Sequence, residues 1–272
     1  MTAGKEACMK PLVVCALLLG AFAAAPAQAP TAATKIQALI ITGRQVGHEW
    51  KPVEPVLRKI LEDSGKFEVR VTEEFRGAGP ETLAPYDVVI LNYCDGRDAG
   101  LRWGERADNA LLEYVRGGKG LVMFHYSVAA FNGWAEYEKL AGGVWRPGNG
   151  HHSARHDFTV QVKDREHPIT AGLNASYPHP NDELYANLKW QPAGTYRVLA
   201  TAWDDHALYT NARDTQPRPG PGQDEPILWT LDYGKGRVFA DMLGHDPDAM
   251  KSEIFTLART RGAEWAATGA VK

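Results

Sequence analysis

The chain has 272 residues, a formal net charge of −3, and 44% hydrophobic against 23% charged residues. Mild acidity without a basic run argues against a nucleic-acid partner. Eight Trp and ten Tyr suit a carbohydrate-facing surface as well as an ordinary core, and decide neither alone.

The first residues read as an export leader. Lys5 and Lys10 form a positive start, Pro11 to Ala25 is almost wholly apolar, and Ala27-Gln28-Ala29 is a small-x-small cleavage site. The apolar run is too short to hold the mature chain in a membrane. Cys15 sits inside that run after Val14, which does not suit lipidation. Met9-Lys10 is an alternative start. Cleavage after Ala29 leaves residues 30–272 as a single domain in the periplasm or outside the cell. Of three cysteines only Cys94 remains, so no intrachain disulfide is expected.

Ile36 to Ile41 is apolar and β-branched and reads as a first strand ending at Thr42-Gly43. Val53, Val56, Leu57, Ile60 and Leu61 recur at helical spacing, with Ser64-Gly65 as the stop. Phe67 to Val71 alternates, as a half-exposed strand near an edge does. Asp87 to Leu91 is a buried strand, closed by Asn92-Tyr93-Cys94-Asp95. Arg106 to Val115 is an amphipathic helix. Glycines 117, 118 and 120 then admit the chain to the run Leu121 to Phe124, and His125 stands where that strand ends.

This rhythm predicts an α/β fold: a doubly wound, mostly parallel sheet in three layers. Right-handed crossovers put the carboxyl ends of the strands on one edge, where ligands sit. His48, Asp95 and His125 should therefore share a rim. Further on, Trp134 to Leu140 is a short helix, Pro147 to His156 a loop, and Phe158 to Val162 a strand. Val198 to Ala202, Ile227 to Leu231 and Val238 to Leu243 are strands. Pro217 to Gly222 is a mobile loop, Gly234-Lys235-Gly236-Arg237 a hairpin turn, and Asp248 to Arg261 a closing helix started by Pro247.

Four groups can carry chemistry. His125 suits base work or metal ligation, and equally a structural cap; Ser127 beside it is a weak nucleophile. In Asp182-Glu183, adjacent carboxylates point apart, so one can face a pocket while the other braces backbone. His245 follows a strand, and joins His125 if that strand is parallel to the core. His151, His152 and His156 can bind a divalent metal or form a polar loop, and match no specific zinc signature. Cys94 needs a His partner to act as a thiol nucleophile. No G-x-G-x-x-G follows the first strand, so no nicotinamide cofactor is expected.

Several stretches together resemble the ThuA-like family, named for trehalose utilisation. They are the first strand with His48, Tyr86-Asp87, Gly117 to Leu121 ending in His125, and Trp134 to Gly143. His167 to Leu173, Asp182-Glu183-Leu184-Tyr185, Gly234 to Arg237 and Gly244 to Pro247 complete the set. The resemblance implies a class I glutamine amidotransferase-like fold without the nucleophilic Cys, with His125 near its place. It also implies sugar metabolism, on 3-keto-glycosides formed by a partner dehydrogenase. The expected catalytic residues are His125, Glu183 and His245, with His48, Asp95, Ser127, Trp134, Asp182 and Tyr185 lining the substrate pocket. A divalent metal, if bound, is expected on His125, His152 and Glu183. A non-catalytic sugar-binding protein on the same scaffold is the alternative.

Overall fold

Five strands in the order of a flavodoxin-type sheet position everything that follows. The computed structural model describes residues 1–2, 4, 34–44, 47–96, 102–209 and 222–272. The chain divides into Met1–Thr34 and Lys35–Lys272, and all elements named here belong to the second part. The expected leader and most of the Pro217 to Gly222 loop lie outside the described residues. Among those described, no helix is long and apolar enough to cross a membrane.

Strand β1 (Ile36–Gly43) leads to α1 (Trp50–Asp63), which buries Val53, Leu57 and Leu61 at four-residue spacing. Strand β2 (Phe67–Thr72) alternates buried and exposed residues, as its edge position requires. A short α2 (Pro80–Leu83), not expected from the sequence, precedes β3 (Val88–Tyr93), every residue of which is buried. Then come α3 (Glu105–Arg116), the buried β4 (Gly120–Phe124) and α4 (Ala135–Ala141).

The second half is built of strands. The two-residue β5 (Gly143–Val144) and β6 (His151–His152) precede β7 (His156–Val162) and β8 (Ser176–Asp182). Next are β9 (Tyr185–Ala186), β10 (Lys189–Trp190), β11 (Arg197–Asp204), β12 (Gln223–Tyr233) and β13 (Gly236–Asp241). The chain closes with α5 (Glu253–Thr268).

The main sheet has nine strands in the order β2-β1-β3-β4-β13-β12-β11-β7-β8. The first five are parallel; β12, β11, β7 and β8 continue it antiparallel. The chain moves one way across the sheet from β1 to β2 and the other way from β3 to β4. Right-handed crossovers therefore place α1 and α3 on opposite faces, with the switch point between β1 and β3. Helix α5 packs beside α1, across β3, β4 and β13. Its approach to β4 is close: a Cβ at Gly120 would stand 2.5 Å from the backbone of Ala266, so glycine alone fits there.

The closing helix differs from its expected bounds. Pro247 does not start it. Asp246 instead caps a tight turn, its Oδ1 accepting from Asp248 N at 2.9 Å and Ala249 N at 3.0 Å. The helix begins after Ser252, whose Oγ accepts from Phe255 N at 3.3 Å.

Candidate functional site

Three of the five parallel strands deliver an imidazole at the carboxyl edge. His48 follows β1, His125 follows β4, and His245 follows β13, whose parallel pairing with β4 puts both on the same side. His125 has φ 43°, a left-handed conformation that a non-glycine residue holds at a cost of about 1 kcal/mol or more. It ends β4 abruptly and opens a tight helical turn over His125–Ala129. Gly244, at φ 100°, lets β13 turn over the Phe255 ring, which a Cβ would meet at 2.6 Å. Glu183 arrives from the opposite direction, on the turn between β8 and β9, with Tyr185 behind it.

These groups converge on one carboxylate oxygen. Glu183 Oε2 lies 3.2 Å from His245 Nδ1, 3.5 Å from His48 Nε2 and 3.7 Å from His125 Nε2. It is buried and accepts no aligned hydrogen bond among the described residues. The other carboxylate oxygen faces His152 Nε2 at 3.6 Å. Tyr185 OH stands 3.0 Å from His125 Nε2 and 3.2 Å from His48 Nε2. The His48 ring stacks on Tyr126 at 4.1 Å.

Hydrogen bonds at the far side fix which nitrogens face inward. His125 Nδ1 is 2.6 Å from the Met242 carbonyl and must donate to it. The neutral ring then turns a lone pair at Nε2 to the site. His152 does the same: Nδ1 donates to the Ser153 carbonyl at 2.7 Å, leaving Nε2 as the basic atom.

The electrostatics favour a cation. Burial opposes charge on Glu183, yet the facing imidazoles of His125, His245 and His48 hold its carboxyl far below the usual range. Burial pushes the His48 imidazole down to about 4, against the pull of Glu183. Burial also works against charge on His125, but the carboxylates of Glu183 and Asp182 prevail and raise it. One ligand atom each from His48, His125, Glu183 and His245 lie within 4.8 Å of one another. Three imidazoles and a carboxylate form a donor set suited to zinc and neighbouring divalent transition metals.

The two adjacent carboxylates do point apart. Asp182 is fully buried. Its Oδ1 accepts the N–H of Glu183 at 2.8 Å and of His245 at 3.0 Å, so it braces the loops that present both ligands.

The expected triplet His151, His152 and His156 does not form a cluster. Neighbours on a strand face opposite ways, so His152 meets Glu183 while His151 turns to Asp204 at 3.4 Å. His156 bonds instead to Ser153 and Ala154. Asp95 bonds elsewhere: its Oδ1 accepts from Phe131 N at 2.7 Å, and burial raises its carboxyl to about 6. Ser127 is fully buried, its carbonyl taking the Tyr137 hydroxyl at 2.6 Å. Trp134 is a core residue stacked on Tyr137. Cys94 is fully buried, which does not suit a nucleophilic thiol. Tyr126 and the Met242 carbonyl entered no sequence expectation. Tyr126 follows His125 directly; a backbone carbonyl leaves no mark in the sequence.

Comparison with known proteins follows the same lines. Residues 37–266 match the family model described as trehalose utilisation, ThuA. A ThuA-like protein from Parabacteroides merdae shares 31% identity, covering 88% of this chain and 92% of its own, with a TM-score of 0.74. A second, from Bacteroides uniformis, is 20% identical over 90% of this chain and 98% of its own, at 0.65. A cytoplasmic protein of Salmonella typhimurium is 15% identical over 88% of this chain and all of its own, at 0.58. The last two support the fold alone. No curated protein matches the sequence.

Proposed function

The chain belongs to the ThuA family, and on that premise we propose that it is an exported carbohydrate-processing enzyme that cleaves oxidised (3-keto) glycosides by acid–base chemistry, with a divalent cation held by His48, His125, Glu183 and His245. One observation supports the reading above others. A buried carboxylate oxygen without a hydrogen-bond partner among the described residues stands among three imidazole nitrogens at 3.2–3.7 Å. Such a set is costly to keep empty of positive charge.

A ketone at C3 of a sugar acidifies the C2 hydrogen. Loss of that proton lets the glycosidic oxygen leave from C1, and water then adds across the new C1–C2 double bond. The bound cation would supply polarisation of the ketone oxygen. His152 takes the proton, since its Nε2 lone pair faces the site from the rim and the residue is only partly buried. Tyr185 OH, between His125 and His48, is the donor placed to reach a developing oxyanion or the leaving oxygen. Export rests on the leader composition alone.

The test combines elemental analysis of the purified chain, with and without chelator, with an assay on 3-keto-glucosides. We expect one divalent ion per chain, and turnover lost in His125→Ala and His152→Ala. Turnover unchanged in both variants would remove the assignment. Saturable sugar binding without product would instead support the binding-protein alternative.

A further inference from the structure

A buried polar chain runs from the start of α5 to the loops that present Glu183 and His245. Ser252 Oγ lies 2.7 Å from His179 Nδ1, and His179 Nε2 lies 2.7 Å from Asp182 Oδ2. The same Oδ2 accepts Gly244 N at 2.6 Å, while Oδ1 accepts Glu183 N and His245 N. His179 and Asp182 have no side-chain exposure.

With an uncharged imidazole, the donors and acceptors fit one polarity. Asp182 already accepts three backbone N–H groups, so it is the acceptor for His179 Nε2–H as well. The neutral His179 ring then has its lone pair on Nδ1, and the Ser252 hydroxyl must donate there. Ser252 Oγ is free to do so, because its remaining contact is to accept the Phe255 N–H at the helix start. Every member of the chain is thus satisfied, and each has one orientation.

We propose that Ser252, His179 and Asp182 are positioning residues for the cation centre: they lock the backbone of Glu183 and His245 so that Oε2 and Nδ1 converge. The inference rests on the metal reading above. Glu183 lies between β8 and β9 and His245 follows β13, and Asp182 is the group that ties one loop to the other. Partners that orient ligands in this way are worth roughly 10–100-fold in metal affinity.

The carboxylate cannot be replaced by its amide without conflict. Asp182→Asn turns an NH2 toward either Gly244 N–H or the N–H groups of Glu183 and His245. His179→Gln, further from the ligands, shortens the chain and frees Asp182 to shift.

The experiment uses Co2+ as the probe on the full chain, reading its affinity and its visible d–d bands. We expect a tenfold or greater loss of Co2+ affinity in Asp182→Asn. In His179→Gln we expect a smaller loss with a shifted visible spectrum, while unfolding stays cooperative. Ser252→Ala should follow His179→Gln in spectrum, which loss of a helix cap by itself does not produce. A parent chain that takes up no cobalt overturns the metal reading and this inference with it. A parent that binds, beside His179→Gln and Ser252→Ala proteins with parental affinity and spectrum, overturns the inference alone. That holds even if Asp182→Asn fails to fold.

Discussion

Replacing Asp95 by Asn should stabilise the protein at neutral and alkaline pH. Asp95 is 3% exposed, and burial raises its carboxyl from 3.8 to about 6. The folded state therefore holds this proton more tightly than the unfolded chain does. Protonated Asp95 contributes its full stability below about pH 4, and the contribution is lost as pH rises through about 6. Above that, the protein carries a buried charge whose Oδ2 has no hydrogen-bond partner among the described residues. The move from 3.8 to about 6 sets a ceiling of about 3 kcal/mol, and solvent screening near a loop reduces it to about 1–2 kcal/mol. Asn keeps an oxygen for the Phe131 N–H and carries no charge. Urea unfolding of parent and Asp95→Asn at several pH values from 4 to 8 gives the comparison. We expect the two to be alike near pH 4 and the variant to be ahead by that amount at pH 8. A variant no more stable than the parent at pH 8 would refute the reasoning.

Glu183→Gln should lower divalent-cation affinity at least a hundredfold by removing the only anionic ligand, as isothermal titration with Zn2+ would register. Gly262→Ala should destabilise by about 1–3 kcal/mol, reversing the helix-propensity gain, because the new Cβ would stand 2.1 Å from the Phe239 ring; a raised melting temperature would contradict this. Arg259→Met should cost about 3–5 kcal/mol, since it strands the buried Asp241 that Arg259 meets at 2.9 Å. Chemical denaturation measures it, and a loss below 1 kcal/mol would show that Asp241 finds another partner.

The convergence on the sheet edge was legible because each imidazole follows an apolar run with a definite end. His125 after Leu121–Phe124 and His245 after Val238–Leu243 announce themselves, and the parallel strand order then brings them together. The antiparallel half was harder to read. Strand β8, Ser-Tyr-Pro-His-Pro-Asn-Asp, has two prolines and little apolar alternation, so His179 was invisible as a strand residue. Which of Asp182 and Glu183 faces inward depends on pairing, not on residue type. Asp95, Ser127 and Trp134 lie close in sequence to strand ends or to His125, and the contacts they make run to Phe131 and Tyr137. The start of α5 was misplaced because Pro247 is a weaker signal than the Ser252 hydroxyl that caps the helix.

Those two prolines have a second effect. Strand β8 is the last of the nine, so no strand of the sheet pairs with its outer side. A foreign strand would seek a row of amide donors, and Pro178 and Pro180 provide none. A feature that hides the strand from a reader of the sequence also makes this end of the sheet a poor template for another copy of the chain.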